Sequence, residues 1–588
     1  MSYCRNAQPS LIDPLWDMPK YLRKLLEKGW AKDFHDLIFP YINEENFAVL
    51  YSSNPATSPN FPVNVLMGLL ILKEVMRQND EELIGSLHFD KRYQYALHTI
   101  AKKKQAVSIN TLTNFRNRVT DYYEKAGIDL VKIEVEAIAQ RIANHLNIDQ
   151  KLLRMDSLMI SSSCKKLSRI ELIYSVNHCM VKALAKLAPE TVPESCQGYL
   201  EKKHKNEVIY QTRDEEADSK LVALLKQTEE LYLAASSAGA EVTTSKAFVI
   251  LARFIKEQTE PTKAGGLVPK PGKAISPQSL QNPTDPDATY RFKHGDNIGY
   301  VGNVVEAYGG KTQVITNYDL EPNNYSDQNF SEAIIDVLSH NSVTPGNQTA
   351  TEDGGLISPS NLAEAGKERK TDVLPQVPEP IILNTDGAYY TDELAQKAAS
   401  NNINLIPGEL TGAKPDPQKL GYDRFKVNEE KHQVNACPAG QKPDESYYDV
   451  KGKCYTVKMS KDKCDTCQFK EQCPIKPQKK VNVIRFSEKR YHNDQLRALM
   501  GTEEYRKLAN ARAGVEGIPS VLRRRYRVDE MPIRGLVRSK FWFGFKIAAM
   551  NFVSLVKGSR QKAKDSLDQV SLLLKNGIYS LFKVHYAE

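Results

Sequence analysis

The chain contains 588 residues, which predicts about three to five domains at roughly 100–200 residues each. Hydrophobic residues make up 41% and charged residues 26%, which argues against a disordered or fibrous protein, and the net charge of +8 matters only where it is concentrated. No basic segment followed by an apolar one begins the sequence, and no apolar run reaches the ~20 residues that span a bilayer, so we predict neither secretion nor membrane insertion. Nine cysteines without an export signal indicate reduced thiols or metal ligands.

The N-terminal part, residues 1–145, is predicted to be helical because its apolar residues recur at helical spacing. Asn79, followed by three acidic residues, and Ser108 are of the types that start helices. At about residue 150 the pattern changes to a strand that carries Asp156. Residues 165–280 are predicted to form a helical insertion that ends in a Pro- and Gly-rich loop.

The middle of the chain is predicted to contain a β-hairpin, because two strand-like segments, 299–308 and 312–319, are separated by glycines. Residues 341–378 are polar and rich in Pro and Gly, which predicts a loop. A strand over 380–385 ends at Asp386, then come a helix, a short strand, a cysteine-rich segment and a basic helical end. This order predicts an α/β fold whose mixed sheet is interrupted by insertions.

Three acids stand out. Asp156 and Asp386 lie at strands, where an unpaired carboxylate is costly unless it is exposed at a sheet edge or binds a cation. Asp386 followed by glycine also fits a simple turn, so a structural role stays open for each. Glu516 lies in the segment 501–560, which holds 13 Lys and Arg against 5 Asp and Glu. Two Asp, one Glu and flanking arginines suit a two-metal site for phosphoryl transfer, since Mg²⁺ prefers carboxylate oxygens and arginines neutralise phosphates.

The segments around these acids resemble those of bacterial insertion-sequence transposases of the DDE type, in particular the insertion-sequence-1182 group. The segments are ELIGSLHFDKRYQYAL, TLTNFRNR, MDSLMISSS, ILNTDGAYYTDE and ARAGVEGIPSVLRRRY. The spacing of Arg512, Glu516 and Arg523 is similar to the third-acid signature of that family. The resemblance implies an RNase H-like core in which Asp156, Asp386 and Glu516 are the catalytic acids and hold two Mg²⁺ or Mn²⁺ ions per active site.

The resemblance also implies a domain organisation and partners. An InsH-like helical domain for DNA binding and dimerisation would cover 1–145, and the first part of the catalytic core would cover 150–425. A cysteine-rich insert would cover 426–480, and the basic helical end of the core 481–588. The implied partner is double-stranded DNA, both transposon ends and target, bound by a homodimer in the bacterial cytoplasm in association with the nucleoid.

Five cysteines fall within 37 positions, a density that favours a metal site. Cys464 and Cys467 have the spacing of a ligand pair, and Cys473 follows six residues later. Cys437 is the fourth candidate ligand of a tetrahedral Zn²⁺ site, with Cys454 as a spare or an alternative. The plainer interpretation is a small insert with reduced cysteines.

Arginines in two regions are candidates for contacting DNA phosphates. Near Glu516 they are Arg512, Arg523, Arg524, Arg525 and Arg527, and in the N-terminal part they are Arg116 and Arg118. A solvated helix face explains Arg116 and Arg118 equally well. Arg512, Glu516 and Arg523 are spaced for one α-helical face. The aromatic residues that follow, over 541–545, are better explained by core packing than by base stacking, and His294 is interpreted as a loop residue.

Together these features predict a transposase that binds the terminal inverted repeats of its element, cleaves DNA with Mg²⁺ and joins the 3′-ends to target DNA. Two alternatives stay open: a metal-dependent nuclease that cuts without joining, and a transposase-derived DNA-binding protein that no longer catalyses.

Overall fold

The computed structural model describes residues 1–6, 15–102, 105–210, 217–262, 266–293, 295–309, 312–342, 379–412 and 414–585. The chain divides into two units. The first unit comprises Met1–Asp149, Ser157–Tyr325 and Gly517–Glu588, and the second comprises Gln150–Asp156 and Ser326–Glu516.

Helices occupy most of the two ends of the chain. They are α1 (Lys20–Glu27), α2 (Trp30–Leu37), α3 (Val63–Met76), α4 (Asp80–Phe89), α5 (Lys91–Ala96), α6 (Ile109–Ala126), α7 (Leu130–Leu146), α8 (Arg169–Leu187), α9 (Ala217–Ser237), α10 (Ala240–Thr243), α11 (Lys246–Gln258), α12 (Asp327–Ser342), α13 (Asp392–Ser400), α14 (Lys461–Asp465), α15 (Glu488–Met500), α16 (Glu503–Asn510), α17 (Gly517–Tyr526) and α18 (Leu536–His585).

Strands fall between these helical ends, so the chain is of mixed α/β composition. They are β1 (Leu152–Ser161), β2 (Thr259–Pro261), β3 (Leu267–Pro269), β4 (Thr289–Phe292), β5 (Asp296–Gly309), β6 (Thr312–Pro322), β7 (Ile381–Thr385), β8 (Ile403–Pro407), β9 (Lys426–Asn428), β10 (Gln433–Ala436), β11 (Glu445–Asp449), β12 (Cys454–Ser460), β13 (Lys476–Pro477) and β14 (Val481–Ser487).

The predicted helix starts in the first unit are confirmed. The Asn79 side chain accepts a hydrogen bond from the Glu82 backbone amide, and the Glu82 carboxylate accepts one from Asn79. Ser108 and Thr111 form the same reciprocal pair at the start of α6. Each pair satisfies two amide groups that a helix end leaves without a partner, so these sequence signals act locally.

The core of the first unit is built around α3 and α18. Residues 63 and 65–72 of α3 are buried, as expected for a helix that is apolar on every side. The long helix α18 packs against α3, α7 and β6. Its aromatic side chains Phe541, Phe543 and Phe545 are buried, which confirms the packing interpretation of that segment.

The predicted hairpin is also confirmed. Strands β5 and β6 pair antiparallel, with Val304 opposite Tyr318, and β5 lies next to β4 and to β1 in the sheet. The insertion predicted over 165–280 forms helices α8–α11 with a hydrophobic cluster of their own. That cluster surrounds a buried polar network in which Asn177 bonds Tyr199 and Thr228.

The second unit has a parallel part and an antiparallel part. In the parallel part β7 lies between β1 and β8, and helix α13 connects β7 to β8. In the antiparallel part the strand order is β11-β12-β14-β13, and a separate pair is formed by β9 and β10. Aromatic and aliphatic residues of this part form one core cluster that includes Cys464.

Some predicted features differ from the structure or lie outside it. The segment predicted to be a helical C-terminal part from residue 481 begins instead with strand β14, which completes the antiparallel sheet. Most of the predicted loop 341–378, and also His294, lies outside the described residues.

Within the described ranges, no helix combines the length and the apolar character that crossing a bilayer requires.

Candidate functional site

Two of the predicted acids lie at neighbouring parallel strands of the second unit: Asp156 is within β1, and Asp386 directly follows β7. β1 and β7 pair in a register that sets Leu152 opposite Ile382 and Arg154 opposite Asn384. Continued by two residues, this register matches Asp156 with Asp386. Paired strands lie about 4.8 Å apart, so the two acids are at the same level of adjacent strands. Both are half-buried.

The third acid, Glu516, is linked to Asp386 through an arginine. Glu516 ends a 3₁₀-helical segment, Ala511–Glu516, and its side chain is 61% exposed. Arg512, one turn earlier, places Nη1 3.4 Å from Glu516 Oε1 and Nη2 3.9 Å from Asp386 Oδ2. One guanidinium therefore contributes positive charge beside two of the three predicted acids.

The stem of Arg512 is held at the ends of β7 and β8. A Cβ on Gly408 would lie 3.6 Å from Arg512 Cδ, and the Gly408 amide donates a hydrogen bond to the Thr385 carbonyl oxygen at 2.9 Å. Two buried polar atoms here, Thr385 Oγ1 and Arg512 Nε, have no hydrogen-bond partner among the described residues. Such atoms are unusual in a protein interior and leave capacity to bind water or another group.

A second arginine, which the sequence analysis missed, ties the 3₁₀ segment to β1. Arg154 is buried on β1 and donates a hydrogen bond from Nη1 to the Ala511 carbonyl oxygen at 2.8 Å. A Cβ on Gly514 would collide with the same guanidinium. The signal in the sequence was an arginine inside an apolar strand, two residues before Asp156, because a buried cation needs a partner.

Arg512, Glu516 and Arg523 do not lie on one continuous α-helix, and their shared face stays a prediction. Arg512 and Glu516 do meet, but they lie in a 3₁₀ segment, and the regular helix α17 begins only at Gly517. A 3₁₀ helix has 3.0 residues per turn instead of 3.6, so α-helical spacing by itself no longer implies a shared face across this segment. In the first unit, Arg523 contacts Asp529 at 3.3 Å and the Met159 carbonyl oxygen at 3.3 Å.

The other arginines near the third acid differ in their exposure to solvent and in their contacts. Arg524 and Arg527 are exposed, and Arg527 contacts Glu530 at 3.6 Å. Arg525 is half-buried, with its guanidinium 5.8 Å from the centre of the Tyr526 ring. A DNA contact by any of them stays a prediction.

The two N-terminal arginines have partners within the protein. Arg116 binds both oxygens of Asp80, at 2.6 and 2.9 Å, and this hydrogen-bonded guanidinium holds the pKa of Asp80 well below its usual range. Arg118 donates to the Leu50 carbonyl oxygen at 3.2 Å and lies over the Tyr51 ring. These contacts connect helices and loops of the first unit. The two arginines are therefore neither fully solvated nor reserved for binding phosphate.

Four cysteines surround one small cavity in the second unit. Cys437, Cys464, Cys467 and Cys473 line it, and its volume is about 20 Å³. Cys454 does not line it and instead donates a hydrogen bond to the Gly452 carbonyl oxygen at 3.0 Å. Burial raises the pKa of the Cys473 thiol to about 11 and also raises that of Cys464, and neighbouring cysteines add to both shifts.

A cluster of one histidine and two acids in the second unit was not singled out from the sequence. His492 on α15 places Nδ1 2.6 Å from Asp392 on α13 and Nε2 3.4 Å from Glu429. The hydrogen bond to Asp392 is the main cause that raises the pKa of His492. Asp392 and His492 are brought together by the contact of α13 with α15. No sequence signal joined three residues so far apart.

The structure does not bring the predicted ligands into a finished metal site. Across the described ranges, no three His, Cys, Asp or Glu side chains are grouped closely enough to hold a metal ion. The predicted ligands nevertheless lie in two groups. The carboxylates are related by the register of β1 and β7 and by the Arg512 contacts, and the four thiols line one cavity.

Part of the chain matches a known protein family. Residues 436–556 match the family model described as the transposase DDE domain, over about a fifth of the chain. The matched region includes Glu516 and the four cavity cysteines, but neither Asp156 nor Asp386. No curated protein and no solved structure matches the chain significantly. The family match supports a transposase of the DDE type in general terms.

Proposed function

We propose that this protein is a DDE transposase that binds the terminal inverted repeats of an insertion sequence, cleaves the DNA strand and transfers it to a target. The observation that carries the proposal is the convergence of three segments far apart in sequence. The register of β1 and β7, continued by two residues, matches Asp156 with Asp386, and Arg512 contacts both Asp386 and Glu516. The match to the transposase DDE domain around Glu516 supports it independently.

The residues present are suitable ligands for Mg²⁺ or Mn²⁺. Asp156, Asp386 and Glu516 supply carboxylate oxygens, the ligand type that hard divalent cations prefer. The partnerless Thr385 Oγ1 beside Asp386 adds a hydrogen-bonding group that the fold itself does not use. When bound, a pair of such ions activates a water or 3′-hydroxyl nucleophile and stabilises the leaving oxygen.

The chain's own residues then have separate tasks. The three acids would hold the cations through their carboxylate oxygens. Arg512 offsets the repulsion between the carboxylates and an incoming DNA phosphate, since its guanidinium lies within 4 Å of two of them. Arg154 is a positioning residue, because its hydrogen bond to Ala511 sets the place of the segment that carries Glu516.

The exposed arginines of α17 and its C-terminal end would bind the DNA backbone without reading its sequence. In this proposal Arg523, Arg524, Arg525 and Arg527 contribute to affinity, and a homodimer on DNA would hold two element ends together. We assign Arg116 and Arg118 a smaller share, because both already make contacts within the protein.

The test is a cleavage and joining assay on duplex DNA that carries the inverted repeats flanking the gene. Wild-type protein with Mg²⁺ is expected to cut at the repeat ends and to join the 3′-ends to a second duplex. Asp386→Asn removes a ligand charge with little change of shape, and we expect cleavage to fall about 1000-fold while DNA binding persists. Glu503→Gln is the matched control, because Glu503 lies in the same basic region, is 82% exposed and pairs with Lys507 one turn away.

The outcomes separate the alternatives. Cleavage without joining would identify a nuclease. Binding without cleavage by the wild type would identify a DNA-binding protein that has lost catalysis. Equal cleavage by wild type and by Asp386→Asn would remove Asp386 from the catalytic set.

A further inference from the structure

The cavity in the antiparallel part of the second unit collects cysteines from separate backbone segments. Cys437 directly follows β10, Cys464 lies in α14, Cys467 comes just after α14, and Cys473 lies six residues later. The cavity volume of about 20 Å³ exceeds the ~10–15 Å³ that one water-sized sphere needs, so there is room for a single small ion.

Tight turns fix the backbone at each cysteine. The Cys437 amide donates to the Gln441 carbonyl oxygen at 3.0 Å, and the Gly440 amide donates to the Cys437 carbonyl oxygen at 2.8 Å. Gly440 has φ of 77°, a conformation that favours glycine, so this turn depends on it. The Cys467 amide donates to the Cys464 carbonyl oxygen at 3.2 Å, which sets those two thiols on one turn.

The selection of cysteines argues against simple packing. All nine cysteines of the chain are free thiols, so no disulfide accounts for the cluster. Five lie in this part of the chain, and the cavity is lined by the four with ligand spacing and not by Cys454. Lys463 and Lys470 also line the cavity, and their ammonium groups pair with Asp444 and Asp465.

We propose that Cys437, Cys464, Cys467 and Cys473 bind one structural Zn²⁺ ion, which holds the small antiparallel part of the second unit together. In the structure the thiols line the cavity without forming a finished metal group, so binding requires that they turn towards its centre. Four-coordinate thiolate sites are closed, and they contribute folding energy instead of chemistry. The proposal is independent of the proposed DNA chemistry, which uses oxygen ligands.

The first experiment measures metal content. Full-length protein purified without chelator, and again after reconstitution with Zn²⁺ under reducing conditions, is expected to hold about one zinc per chain by elemental analysis. Cys464→Ser and Cys437→Ser should lose the metal, whereas Cys454→Ser, the matched control from the same part of the chain, should keep it. No zinc before or after reconstitution, or loss of zinc in Cys454→Ser alone, would overturn the proposal.

A second measurement protects the test against variants that do not fold. On the wild-type chain, titration with a mercurial thiol reagent is followed together with zinc release by a chromogenic indicator. Zinc is expected to leave as four thiols react, and Co²⁺-substituted protein should show the intense thiolate-to-metal absorption of a tetrahedral sulfur site. Release uncoupled from thiol modification, or a Co²⁺ spectrum without thiolate bands, would reject the four-cysteine site.

Discussion

The carboxylate region and the cysteine region of the second unit are assembled in opposite ways. Asp156, Asp386 and Glu516 come from segments up to 360 residues apart, and they depend on the pairing of β1 with β7 and on buried Arg154. The four cysteines lie within 37 positions and surround a cavity inside one small sheet. The carboxylate region therefore depends on long-range contacts and the cysteine region on local turns, so different substitutions should disrupt each of them.

The largest expected effects come from one substitution in each region, because each should abolish a different property. Asp386→Asn should reduce cleavage about 1000-fold and leave the zinc content of the chain unchanged. Cys464→Ser should instead remove zinc and expose residues 426–487 to protease. Its cleavage activity should fall only in proportion to the fraction of unfolded molecules. Cleavage, elemental analysis and limited proteolysis of both variants check this. If Asp386→Asn also lost zinc, the two regions would not be independent.

The next effect concerns Arg512. Arg512→Ala removes the guanidinium that contacts Asp386 and Glu516, so we expect single-turnover cleavage to fall about 10–100-fold with little change in DNA affinity. Arg523→Ala is the comparison, because Arg523 contacts Asp529 and a carbonyl oxygen instead. It should lower affinity and flatten its salt dependence. The structural alternative, in which Arg512 only stabilises the 3₁₀ segment, predicts a lower melting temperature with unchanged cleavage per folded molecule.

Gly514 tests the long-range contact itself. Gly514→Ala would drive a Cβ into the Arg154 guanidinium, and we expect a destabilisation of about 1–3 kcal/mol together with slower cleavage. Gly517→Ala, three residues later, meets no neighbouring atom within 4 Å and should be nearly neutral. Thermal unfolding of both variants measures the difference. Equal melting temperatures would show that the Arg154 contact does not constrain the 3₁₀ segment.

The smallest effect is a pH dependence of stability at His492, which contacts one acid from the parallel part of the second unit and one from its antiparallel part. Asp392 follows β7, and Glu429 follows β9. Because the pKa of His492 is raised in the folded state, its contribution is fully present below its usual value of about 6.5 and is lost as the pH rises through the raised pKa. His492→Gln should therefore lower the melting temperature at pH 5.5, by the equivalent of about 1 kcal/mol or less, and have less effect at pH 9. An equal loss at both pH values would show that packing, not charge, matters here.

Local signals in the sequence predicted much of the secondary structure. The caps at Asn79 and Ser108, the hairpin of β5 and β6, and the strand before Asp386 are all confirmed. These elements depend on hydrogen bonds and side-chain periodicity within a few residues, which a single sequence displays directly. The break of the helix around Glu516 was missed, because the α-helical spacing of Arg512, Glu516 and Arg523 hides the 3₁₀ segment.

The sequence by itself determined which residue types are available: three acids at strand and helix ends, a run of arginines and a ligand-spaced set of cysteines. The tertiary structure decided how they are used. It buried the cation of Arg154 against Ala511, placed Arg512 between two acids, paired Arg116 with Asp80 and kept Cys454 away from the cavity. The physical reason is that a charge or thiol acquires its role from partners within a few ångströms, and those partners come from distant segments that only packing brings together.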